Sequence, residues 1–254
     1  MSLRDEWLEV NQTLEAICQD LLKHLPSTGP TDNRFCDFMT GFLRKATRLL
    51  TASNTLAQVN LWDETQIIAR VLLEHRINVD YFMKQANDSI DVACRAVQDA
   101  WVLQRIKEWE TSRWMGVSPE VKDFYTAQIK RLNEDWTPAQ IKLMRLHGFS
   151  QLSVEARAKA TGHDDAYQMI YRRFGRPIHS TDYAEYLAGP TSIVDEELQY
   201  RNWRDPMIAY VIHFSAGGIA ELTNAYCLSR SHDFQLDEIG KRQKGLRMRQ
   251  ESAH

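Results

Sequence analysis

The chain has 254 residues, enough to close a substantial apolar core, with 43% apolar and 26% charged residues. Its 11 Gly and 7 Pro are too few for a turn-rich all-β protein, and its net charge of −3 gives no global attraction to polyanions. Cys18, Cys36, Cys94 and Cys227 are scattered, with no CxxC pair and no close Cys/His grouping, which argues against both a zinc site and a disulfide framework.

The opening MSLRDEWLEV carries charges where a secretion signal needs an apolar run, so a cytoplasmic location is expected. Leu3, Trp7, Val10, Leu14, Ile17 and Leu21 recur at helical spacing and predict a first helix to about Leu25. PSTGPTDN breaks it, and Asp32 or Asn33 caps a second helix carrying Phe35, Phe38, Phe42, Leu43 and Leu50. A third helix runs from Trp62 to about Lys84, and its apolar positions are spread too widely for a surface helix, which predicts a central one.

Residues 91–113 continue helical, and Ser118 before Pro119 and Thr137 before Pro138 each start a further helix. The segment 85–148 is rich in charged residues and Trp and reads as an inserted helical arm on a single domain spanning 1–254. Trp101, Trp109, Trp114 and Trp136 in this arm suit either base stacking or packing. Ser153 opens a short helix ending near Gly162, and Asp164 and Asp165 start another that stops at Gly175 and Pro177. His163 beside these two acids mixes metal-ligand types, but Asp at a helix start is an ordinary cap, so no metal and no cofactor is expected.

The last long helix is predicted over Trp203–Arg230, apolar enough to be buried, with His213, Glu221 and Asn224 read as satisfied core polar groups. Those polar groups also speak against a membrane span. Residues 240–254 form a basic tail with Lys241, Arg242, Lys244, Arg247 and Arg249, either a basic helix end or a disordered arm, read by default as solvated. The whole predicts an all-α, multi-helix bundle.

Two constellations carry chemistry. Tyr171-Arg172-Arg173-Phe174-Gly175-Arg176-Pro177-Ile178-His179 puts three guanidiniums within a few positions of an imidazole. Arg offers forked donors to phosphate oxygens, and His can move a proton during attack by a ribose 2′-hydroxyl, a pairing that suffices for metal-free RNA cleavage. The plain alternative is a cluster of cations offsetting a helix dipole, with His179 packed in a loop. Arg70 and Glu74 lie four apart on the third helix and suit either an ion pair or the support of a site.

The stretch ARVLLEHRINVDYF around Arg70 and Glu74, followed about a hundred residues later by YRRFGRPIHSTDYAEYL, resembles a bacterial family known as domain of unknown function 5677. The second segment is also similar to the Arg-to-His signature of the HEPN superfamily of helical ribonucleases. Arg173 precedes His179 by five intervening residues and Arg172 by six, and both spacings fit. That likeness implies a HEPN-like core that pairs as a homodimer, RNA as substrate, and a role in bacterial toxin or phage-defence systems beside a partner protein of the same operon. It assigns His179 as base or orienter, Arg173 or Arg172 as the phosphate holder, Glu74 and Arg70 as supports, and Arg176 and Tyr171 as substrate contacts. The rival expectation is a non-catalytic interaction or sensor module in which these residues form a polar network or a phosphate-binding site.

Overall fold

A computed structural model describes residues 2–25, 33–111, 119–171 and 194–252, with side chains left out at a few helical positions, chiefly 171 and 194–203. The described residues are helical almost throughout, and the fold is an all-α multi-helix bundle. Among the described residues there are ten α-helices, α1 Leu3–His24, α2 Arg34–Gln58, α3 Trp62–Asp88, α4 Ile90–Thr111 and α5 Pro119–Asp135, then α6 Pro138–His147, α7 Val154–Ala160, α8 Asp164–Ala166, α9 Val194–Cys227 and α10 Asp233–Ser252.

Local chemistry sets most of these ends. Ser2 and Asp5 make a reciprocal capping box on α1, and Asn33 caps α2 by accepting the Cys36 N–H at 3.2 Å. Thr137 and Gln140 form a second capping box ahead of Pro138, and Ser153 caps α7. Gly162, at φ +75°, supplies the left-handed turn after α7. Ser118 lies outside the described residues.

The chain forms two compact units, Met1–Val79 with Asp165–His254, and Asp80–Asp164, the latter containing residues 85–148. In the first unit α1 packs on α2, α9 and α10, and α9 also packs on α2 and α10. Trp7, Leu14 and Leu21 of α1, Met39, Leu43 and Leu50 of α2, and Ile208, Ala216 and Ile219 of α9 are buried there. Leu72, Leu73, Ile77 and Val79 of α3 are buried too. Polar ties fix the register: Asn11 Nδ2 donates to the Ala209 carbonyl at 3.0 Å, and Asn54 Nδ2 donates to Glu15 at 2.7 Å.

The second unit closes on Val102, Leu103 and Ile106 of α4, Leu132 of α5 and Met144 of α6. Beside that cluster Asp99 is fully buried and accepts from Arg131 Nη2 at 2.6 Å and Trp136 Nε1 at 2.8 Å. Trp136 therefore serves packing and a hydrogen bond, and Trp109 lies against Tyr125 with ring centroids 5.6 Å apart. Trp101 is exposed under the Arg105 guanidinium, and Trp114 lies outside the described residues.

One expectation is corrected. The long apolar helix begins at Val194 rather than Trp203, running through Pro206. A proline removes only one backbone hydrogen bond of the helix that it interrupts. The basic tail is a helix end: it belongs to α10, which buries Leu236, Ile239 and Leu246 while Lys241, Arg242, Lys244, Arg247 and Arg249 stay exposed. Its Arg242 reaches Glu9 at 3.0 Å and its Arg249 reaches Glu6, both on α1, while Arg247 lies over the Tyr210 ring at 5.6 Å.

Candidate functional site

Arg70 and Glu74 stand one turn apart on α3, both half-buried, between the buried positions Ala69, Leu72 and Leu73. The second constellation follows α8. Beyond Ala166 the backbone widens into a π turn over Tyr167–Tyr171, so Tyr171 ends a stretch of i to i+5 geometry. Such turns are rare and concentrate at functional sites. Arg172, Arg173, Arg176 and His179 lie outside the described residues, as does the side chain of Tyr171.

The model of a family of unknown function, DUF5677, matches residues 37–188, more than half of the chain and all of both constellations. The chain belongs to the DUF5677 family. Comparison with curated proteins and with solved structures returned no match.

In this DUF5677 chain burial favours the neutral form of two imidazoles, His75 and His213. His75 directs Nε2 to the Phe42 carbonyl at 2.9 Å, and burial pushes its pKa down to about 4. His213 packs 6.0 Å from the Trp7 ring, and burial pushes it down to about 4 as well. Its Nδ1 finds no hydrogen-bond partner among the described residues, so the expectation of a satisfied core histidine fails at that atom. Asn224 meets the expectation, bonding Asp233 and the His232 N–H. Glu221 sits at an exposed position, not in the core.

His163 is held by Asp80, Nε2 to Oδ2 2.6 Å, with both side chains largely covered. That carboxylate comes from α3, not from the neighbouring Asp164 and Asp165. The charged ends of α1 and α10 line a groove of about 270 Å³ with Glu6, Val10, Arg242, Gly245, Leu246 and Arg249. Its two guanidiniums are already matched by Glu6 and Glu9.

One cluster escaped the sequence reading. Asp20, His24 and His232 bring a carboxylate and two imidazoles together, with donor atoms all within 4.8 Å of one another. Asp20 and His24, four apart on α1, were the legible half; His232 lies 212 positions from Asp20, and no local pattern joins them.

Proposed function

We propose that this chain is a HEPN-like, metal-independent endoribonuclease of a bacterial toxin or phage-defence system. The observation that carries this reading is that a single family match spans both the Arg70/Glu74 helix and the Tyr171–His179 segment. The π turn over Tyr167–Tyr171, leading directly into that segment, supports it. The all-helical body agrees with a HEPN-like core.

In this scheme RNA lies across Arg172, Arg173 and Arg176. One of the first two guanidiniums holds the scissile phosphate and offsets its charge as the 2′-oxygen attacks and the P–O5′ bond breaks, while His179 takes the hydroxyl proton or orients the sugar and the leaving 5′-oxygen takes a proton from water. Arg70 and Glu74 support these groups, and Tyr171 contacts the nucleotide. Two copies of the chain bring their Arg/His segments into one cleft, so the active form is a homodimer, kept in check by a partner protein of the same operon.

The test is cleavage of RNA by the purified chain in EDTA. Loss of cleavage in His179→Ala, with an unchanged melting temperature, is the expected result. Intact RNA with the wild-type protein, or a His179→Ala variant that merely melts earlier, replaces the enzyme with a helical interaction module.

A further inference from the structure

We propose that Asp20, His24 and His232 form a binding site for a divalent transition metal of the zinc class, joining the end of α1 to the turn between α9 and α10. Two imidazoles and a carboxylate suit such an ion and disfavour calcium or magnesium, which prefer all-oxygen sets. Donor atoms bound at about 2.1 Å around one metal stand roughly 3 Å apart. His232 Nε2 and Asp20 Oδ2 already stand at 3.1 Å, and the two imidazole rings lie edge to face with centroids 5.2 Å apart. His24 is exposed, so its ring is free to draw in over the remaining distance.

The surroundings hold the ligands as a metal site requires. His24 Nδ1 donates to the Asp20 carbonyl at 2.9 Å, which leaves the lone pair on Nε2. His232 Nδ1 meets Ser231 Oγ at 2.8 Å, and the buried His232 is locked at its backbone by Asn224 Oδ1 at 3.1 Å. The turn that delivers it passes through two left-handed non-glycine residues, Ser229 at φ 50° and Arg230 at φ 65°. Asn224 accepts the Arg230 N–H at 3.1 Å and so holds that strained geometry in place. Lys23 Nζ is 3.6 Å from the other Asp20 oxygen, but its side chain is 73% exposed and swings clear at little cost. Three protein ligands leave the last position to water. At this place the ion acts as a clip, because binding only the folded arrangement of α1 and the turn raises stability.

The test is calorimetric titration of the untagged, chelator-stripped full chain with zinc, beside its melting temperature with and without the ion. The expected result is one zinc per chain and a higher melting temperature. His24→Gln and Asp20→Asn should weaken uptake by more than about tenfold while leaving the metal-free melting temperature of His24→Gln unchanged. Cobalt in place of zinc should show visible ligand-field bands without thiolate charge transfer. No stoichiometric uptake, uptake indifferent to both substitutions, or a thiolate band pointing to Cys36 or Cys227 each overturns the proposal.

Discussion

The guanidinium of Arg76 occupies the space that a Cβ would take at Gly218, while it also lies over the Phe214 ring at 5.7 Å. The neighbouring Gly217 has room, since the nearest atom to a Cβ there would be Leu14 Cδ2 at 3.7 Å. The two glycines of one helix thus answer to different constraints.

Gly217→Ala should therefore stabilise the chain by about 0.5 to 1 kcal/mol, the ordinary gain of Ala over Gly inside a helix, or roughly 2 to 4 °C in melting temperature. Gly218→Ala makes the same gain but expels Arg76 from its stacked position, which costs about 0.5 to 1 kcal/mol or more, so its net effect is near zero or destabilising. Thermal melts of both variants in the wild-type and Arg76→Ala backgrounds check this. Gly218→Ala should recover its full benefit only once Arg76 is gone, and equal effects in both backgrounds would refute the packing argument.

Asp99 and Arg131 make an unequal pair, because the carboxylate is buried and the guanidinium is 38% exposed. Contact with Asp99 raises the pKa of Arg131. Arg131→Ala strands a buried carboxylate with only the Trp136 indole N–H described as its remaining donor, and should cost about 3 kcal/mol. Asp99→Ala leaves Arg131 able to turn to water and should cost less. Urea unfolding of both variants reads this out.

His75 and His213 make the fold sensitive to mild acid. Both imidazoles are buried with pKa values pushed down to about 4. The unfolded chain takes up these protons near the ordinary value of about 6.5. Between those limits the unfolded state binds more protons, so stability is complete above the higher value and falls as pH drops toward the lower one. The loss should be about 2 kcal/mol per histidine at pH 5. Asp5, Glu6 and Asp20, whose carboxyls are held below their usual range by Ser2, Arg249 and His232 respectively, lose their contribution only at more acidic pH. His75→Gln keeps a donor near the Phe42 carbonyl without titrating, and should remove about half of the pH dependence seen in urea melts between pH 7 and 5.

Helix ends were legible in the sequence because they are local: Asn33, Thr137 with Pro138, Ser153 and Gly162 act on residues within one turn. The start of α9 was not, since Pro206 signals a boundary that the helix runs through. The ion pairing of the basic helix α10 depends on Glu6 meeting Arg249 across 243 positions, and the metal-type cluster on His232 meeting Asp20 across 212. No periodicity records such pairings. Arg70 and Glu74 were legible as a helical pair by spacing alone, whereas the role of the Arg172–His179 segment rests on its order of residues.

Under the proposed ribonuclease reading, that order leaves two arginines competing for one task, and substitution separates them. The arginine that holds the scissile phosphate stabilises charge that grows during attack, so its replacement by Ala should lower the rate by about 10²- to 10³-fold with little change in KM. The other arginine contributes general attraction to the RNA backbone, and its loss should raise KM and reduce the salt dependence of binding instead. Single-turnover cleavage in EDTA by Arg172→Ala and Arg173→Ala, at two salt concentrations, distinguishes the two. His179→Ala should fall by about 10²- to 10⁴-fold, the usual worth of a positioned base. Glu74→Gln should lower the rate without altering RNA affinity, because Glu74 acts through the groups that touch the substrate. Rates unchanged in both arginine variants would remove this segment from the chemistry.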